Sequence, residues 1–97
     1  MMTEQQRRES LRTELLAYLA DRPANAFDPE TLLQRLIKTN VLEFTPTIED
    51  LAGALAFLRG AELVSVTPHG LGATNFYQVT STGVLAHERG TLNPRPL

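Results

Sequence analysis

Thr47-Ile48-Glu49-Asp50-Leu51-Ala52-Gly53-Ala54-Leu55-Ala56-Phe57-Leu58-Arg59-Gly60-Ala61-Glu62-Leu63-Val64 is where the rhythm of the chain changes. Thr47 with Asp50 reads as a capping box in which Asp replaces the usual Glu. Ile48, Leu51, Ala52, Leu55 and Leu58 then recur with the helical period, and Gly60 stands where a C-terminal glycine belongs. From Leu63 the pattern switches to the β-branched run Leu63-Val64-Ser65-Val66-Thr67, which predicts a strand directly after the helix.

Downstream, Phe76-Tyr77-Gln78-Val79-Thr80 repeats the strand composition. The glycine-containing stretch from Pro68 to Asn75 makes the pair a hairpin. Thr80-Ser81-Thr82 can start a short last helix through Val84, Leu85 and His87. Gly90 onward, with Pro94 and Pro96, reads as a frayed tail.

Upstream lie two further helices. Thr3 and Gln6 form a capping box, Glu4 suits the first turn, and Leu11, Leu15, Tyr18 and Leu19 make one apolar stripe. Gln5, Arg8, Glu9, Arg12 and Thr13 fall mostly on the polar side. Asp21-Arg22-Pro23 ends this helix, because a residue before proline avoids helical geometry. In the next one Asp28 can cap, Pro29 suits the first position and Glu30 complements the dipole. Phe27 can staple onto Leu32. Leu32, Leu33, Leu36 and Ile37 are its expected buried face, Lys38 sits in its last turn, and Asn40 can close it in the left-handed conformation. Val41 to Phe44 is too short to assign as strand or loop.

The 97 residues suit one domain, expected over 1–90, with 91–97 as a flexible tail. An apolar share of 42% and a charged share of 21% argue for a globular chain. Zero Cys removes disulfides and thiolate metal sites, which fits a reducing, cytoplasmic setting. Met1 to Glu9 is polar and carries no secretory apolar core, and no run is long enough to span a bilayer. A net charge of −2 gives no bulk attraction to nucleic acid or anionic lipid.

Three helices, a two-stranded hairpin and a closing helix, in that order, resemble the winged-helix family. Residues 47–64 resemble its third helix running into the first wing strand. Phe76-Tyr77-Gln78-Val79-Thr80-Ser81-Thr82-Gly83 resembles the second wing strand and the turn into the next helix. Phe27 falls where a short third strand usually completes the sheet. The resemblance implies an α+β fold, a three-helix core carrying a two- to three-stranded antiparallel wing sheet. It departs at Asn40 to Pro46, which is longer than the usual turn of about three or four residues between the second and third helices.

The same resemblance implies a third helix laid in the DNA major groove and a wing braced on phosphates. That docking needs cations. The outward face of the third helix is expected to carry Glu49, Asp50, Gly53, Ala54, Ala56 and Phe57, none of them basic. Pro68 to Asn75 has no Lys or Arg. Between Thr39 and Glu88 the one full cation is Arg59, against Glu43, Glu49, Asp50, Glu62 and Glu88. The chain is therefore expected to be a non-enzymatic, regulatory interaction module that docks a protein partner or a second copy of itself. Phe57 and Leu71 would form its apolar patch, beside Glu49, Asp50, Gly53 and Ala54. The plainer reading has Phe57 tucked against the wing or the Val41–Phe44 segment.

The alternative is a dimeric winged-helix regulator of transcription whose DNA contacts come from Arg7, Arg8, Arg12, Arg35 and Lys38. Against it stands an ordinary solvated helix face, with Arg7, Arg8 and Arg12 paired to Glu4 and Glu9. Catalysis is not expected. His69 and His87 have no aligned nucleophile, no elbow surrounds Ser65 or Ser81, and Gly70-Leu71-Gly72-Ala73 lacks the third glycine of a dinucleotide loop. His69, at the turn, is more simply an exposed wing histidine than a metal ligand or proton carrier. Neither cofactor nor metal is implied.

Overall fold

The computed structural model describes residues 2–68, 72 and 74–90. The elements run α1 (Glu4–Ala20), α2 (Pro29–Thr39), α3 (Ile48–Gly60), β1 (Val64–Pro68), β2 (Asn75–Val79) and α4 (Ser81–Arg89). This is the α+β arrangement expected: a helical core, an antiparallel two-stranded sheet and a closing helix. Where a short third strand is expected, Phe27 makes a single antiparallel bridge to Tyr77, through N–H···O bonds of 2.9 and 2.8 Å. Among the described residues no helix is long and apolar enough to cross a membrane. The expected tail, residues 91–97, lies outside the described residues.

Each helix begins where its capping chemistry places it. Thr3 and Gln6 exchange both bonds of a capping box, at 2.9 and 3.1 Å. Thr47 and Asp50 do the same at 2.9 and 3.1 Å, so the shorter Asp closes the box as well as Glu would. Asp28 caps α2, its carboxylate accepting from the Thr31 backbone at 3.1 Å and from the Thr31 hydroxyl at 2.6 Å. Asn40 ends α2 in the left-handed conformation (φ 54°). The segment up to Thr47 is irregular, so Val41–Phe44 is a loop that Phe44 and Leu42 pin to the core.

The core is leucine. Leu11, Leu15, Leu16 and Leu19 of α1 meet Leu32 and Leu36 of α2, Leu51, Leu55 and Leu58 of α3, and Leu63, all nearly or fully buried. Two faces differ from expectation. In α3 the buried set is Leu51, Ala54, Leu55 and Leu58, while Ala52 is exposed and Ile48 is 40% exposed. The i, i+3, i+4, i+7 stripe starts at Leu51, and Ile48 lies in the first turn, ahead of the contact. In α2, Leu32 and Leu36 are buried, but Ile37 is 46% exposed, because α2 lays only a narrow edge on its neighbours.

The corner from α3 into β1 also closes differently. Gly60 is the last helical residue and Ala61 the cap, whereas Glu62 takes the left-handed conformation (φ 63°). The strain at Glu62 is held from both sides. Its carbonyl accepts the Thr80 hydroxyl at 2.8 Å, and Leu63 donates back to the Leu58 carbonyl at 2.9 Å. Thr80 also donates its backbone N–H to the Leu63 carbonyl at 3.0 Å and caps α4 by accepting from Gly83 at 3.0 Å. Gly83 is packed so closely that a Cβ there would collide with the Leu63 carbonyl oxygen and approach Val79 Cγ2 to 2.7 Å.

Two expectations follow. Gly83→Ala, which helix propensity alone would favour, should lower stability by about 1–3 kcal/mol because the methyl overpacks the corner. Urea unfolding with an unchanged or raised midpoint would show that the corner can relax. Asp28→Ala should cost about 1 kcal/mol at neutral pH through the lost cap. The hydroxyl and backbone bonds from Thr31 hold the Asp28 carboxyl below its ordinary value. Its contribution is therefore fully present above the unfolded-state value and disappears as pH falls through the folded one. Wild type and variant should converge in acid, and a gap that persisted there would assign the cost to something other than the carboxylate.

Candidate nucleic-acid interface

The seam between α1 and α3 opens at their N-terminal ends into a groove of about 680 Å³. Arg7, Arg8 and Arg12 line it from α1, and Glu49, Asp50, Gly53 and Ala54 line it from α3. Met2 and Glu4 stand at one end, Leu11 is part of the floor, and Phe44 of the α2–α3 loop makes a wall. The groove thus unites two sets of residues that the sequence keeps apart. The α1 arginines expected for DNA face the α3 residues expected for a protein partner.

Helical spacing explains the gathering. Leu11 and Leu15 point α1 inward, so Arg8, three positions before Leu11, and Arg12, one after Leu11 and three before Leu15, flank the ridge. Arg7 and Arg8 are exposed, while Arg12 is half-buried. The Arg12 guanidinium lies 3.7 Å from the centroid of the Phe57 ring on α3, and that of Arg7 lies 5.7 Å from the Phe44 ring. Arg12 Nε is buried and has no hydrogen-bond acceptor among the described residues. An unsatisfied buried N–H costs about 1–3 kcal/mol, and a cation–π contact returns about 0.5–2 kcal/mol, so the two roughly offset.

Phe57 is half-buried and packed against the core, with Arg12 over its face. It does not stand out as an exposed anchor. The group over its ring comes from α1. Ala54 is 5% exposed, so it belongs to the core and leaves the outward face to Glu49, Asp50, Ala52, Gly53, Ala56 and Arg59. Asp50 Oδ2 is engaged by the Thr47 backbone at 2.9 Å. A Cβ added at Gly53 would meet nothing within 4 Å. Leu71 and His69 lie outside the described residues. Arg35 and Lys38 are exposed on α2 and do not line the groove. No group of three or more His, Cys, Asp or Glu able to hold a metal ion occurs among the described residues.

The groove carries three arginines and three carboxylates, from Glu4, Glu49 and Asp50. It has no net charge, yet its charges are segregated by helix, cations on α1 and two of the three acids on α3. Sequence reasoning missed the Arg12–Phe57 stack. The signal available was one helical fact: Arg12 adjoins Leu11 and so borders the buried stripe.

No family model matches the chain, and no curated protein matches it. Among solved structures it is similar to a transcriptional regulator from Clostridium thermocellum. The TM-score is 0.72 at 16% identity, over 93% of this chain and 84% of that one. At that identity the likeness concerns the fold: the winged-helix-like α+β order extends over nearly the whole chain.

The inward Ala54 and outward Gly53 make opposite expectations for adjacent positions. Gly53→Ala should raise stability by about 0.5–1 kcal/mol, the ordinary helix-propensity gain. Ala54→Arg should lower it by about 1–3 kcal/mol or more, since a long charged chain cannot fit the core. Thermal melts that gave both variants the same sign would mean that α3 is rotated from the orientation described.

Proposed function

We propose that this chain is a non-enzymatic winged-helix regulatory module that binds nucleic acid, with its phosphate contacts supplied by α1. The observation that carries this reading is the shared groove, in which Arg7, Arg8 and Arg12 border the outward N-terminal half of α3. The N-terminal half of α3 that borders the groove carries no cation, its Arg59 lying in the last turn, so it cannot by itself hold against a phosphate backbone, but arginines from the adjoining helix can do so while α3 lies alongside. The fold's likeness to a transcriptional regulator supports a regulatory role. Tight sequence-specific binding would need two such modules, because one buries little surface. Within this reading Arg35 and Lys38 are peripheral contacts at most, set on a different helix.

A second reading has one specific observation in its favour. The outward face of α3 presents Glu49 and small side chains at Ala52, Gly53 and Ala56, which suits a protein partner bearing cations, or a second copy. In that case Glu49 and Asp50 form the rim and Gly53 permits close approach. Phe57, half-covered by Arg12, is a supporting contact there.

The two readings separate on one titration. Fluorescence anisotropy of a labelled duplex at low salt should show binding that weakens as salt rises. For three arginine contacts the slope of log affinity against log salt should be about −2 to −3. Reversing charge at Arg7→Glu and Arg8→Glu together should remove most of that binding without lowering the melting temperature. Absence of binding at low salt would end the nucleic-acid reading and leave protein docking in its place.

A further inference from the structure

The sequence contains several arginines, and the structure sets three of them over aromatic rings in different ways. Arg22 lies 3.9 Å from the Tyr18 ring and also donates from Nη1 to the Tyr18 carbonyl at 3.1 Å. Part of its hydrogen-bonding capacity is thus used inside the fold. Arg7 sits 5.7 Å from Phe44, too far for close stacking. Arg12 is different from both. Its guanidinium rests on Phe57 at 3.7 Å, Nε is buried without an acceptor, and it makes no hydrogen bond among the described residues. The ring of α3 holds this cation in place, no carboxylate among the described residues takes up its donors, and the group borders the groove.

We propose that Phe57 is a positioning residue that holds the Arg12 guanidinium, donors unspent, as the anchor for one backbone phosphate at the α1–α3 groove. This deepens the nucleic-acid reading above and rests on it. A guanidinium fixed by a ring face has already lost most of its rotamer freedom, so binding an oxyanion costs less ordering than it would for a free side chain. The planar fork then offers parallel N–H donors to a phosphate oxygen, the charge-assisted geometry for which arginine is suited. Directional contact matters here because Glu4, Glu49 and Asp50 cancel the groove's bulk attraction. Of these, Asp50 is already engaged by the Thr47 backbone. The partner chemistry is phosphodiester, with stacking on Phe57 leaving the edge of the guanidinium toward it.

The test uses the full chain and a labelled duplex, read by anisotropy across a salt series. Phe57→Leu keeps an apolar side chain but removes the ring face. It should weaken duplex binding several-fold and make the salt slope shallower by about one, the signature of one lost phosphate contact. Arg12→Ala should have the same effect, and the double variant should be no worse than either single one. Phe57→Tyr should restore wild-type affinity and slope, and Arg22→Ala should leave both unchanged. A Phe57→Leu protein that melts as a folded chain yet keeps wild-type affinity and slope would overturn the proposal, leaving the ring a packing contact.

If the wild type binds no duplex, the functional reading fails, and a second measurement decides the anchor separately. In the free protein, titration with inorganic phosphate should shift the Arg12 side-chain Nε–H resonance to saturation, and the shift should vanish in Phe57→Leu. Its absence from the wild type would overturn the anchor. Binding of a poly-glutamate peptide with the same Arg12 dependence, in place of duplex, would overturn the phosphodiester assignment and make the occupant an acidic protein.

Discussion

The structure depends on the leucine ridge of α1. Leu11, Leu15, Leu16 and Leu19 are buried, and α3, α4, α2 and β2 all pack against that one helix. A small chain has few ways to close a core, and this one uses its longest helix as the post around which the others are set. The buried leucines of α1 are bordered by half-buried positions, Arg12 among them. Arg12, bordering the ridge beside Leu11, lies at the seam with α3. The charged seam between α1 and α3 is a consequence of that packing.

The use of arginine follows from the same geometry. A seam position needs a side chain whose stem can cover apolar surface and whose head can lie flat on a ring. Guanidinium satisfies both demands and ammonium satisfies them less well. Arg12 on Phe57 and Arg22 on Tyr18 are the clearest instances, each joining a polar helix face to an aromatic at its edge. These two arginines help to seal the edge of the core. The second structural centre is the Glu62–Leu63–Thr80–Gly83 corner. There one threonine ties the end of α3, the start of the wing and the last helix together.

Much of the architecture was legible because helix starts are local. Thr3 with Gln6, Asp28 with Pro29, Thr47 with Asp50, and Thr80 each satisfy orphan N–H groups within three residues of themselves, so their chemistry appears in the string. The αL closure at Asn40 was equally local. Helix faces were less legible, since a stripe drawn through Ile48, Ala52 and Ile37 fits the helical period as well as the real one. Which edge is covered depends on where the next helix lies, and so Ala54 went inward while Ile37 and Ile48 stayed out. The left-handed residue after α3 was misplaced for the same reason. Glu62 bears that strain because Thr80, eighteen residues later, holds its carbonyl, and glycine preference in the neighbourhood pointed to Gly60.

The sequence by itself determined the order of elements, their caps, the hairpin and the lack of cations on the N-terminal half of α3. Each of these rests on neighbours within a few residues or on residue type alone. Tertiary structure alone decided that Arg7, Arg8 and Arg12 would border the outward half of α3, and that Phe57 would lie beneath Arg12. These residues stand some forty positions apart on different helices. Their meeting is set by the angle and offset at which two leucine faces interlock, a quantity that depends on every side chain in the core and is written at no single position.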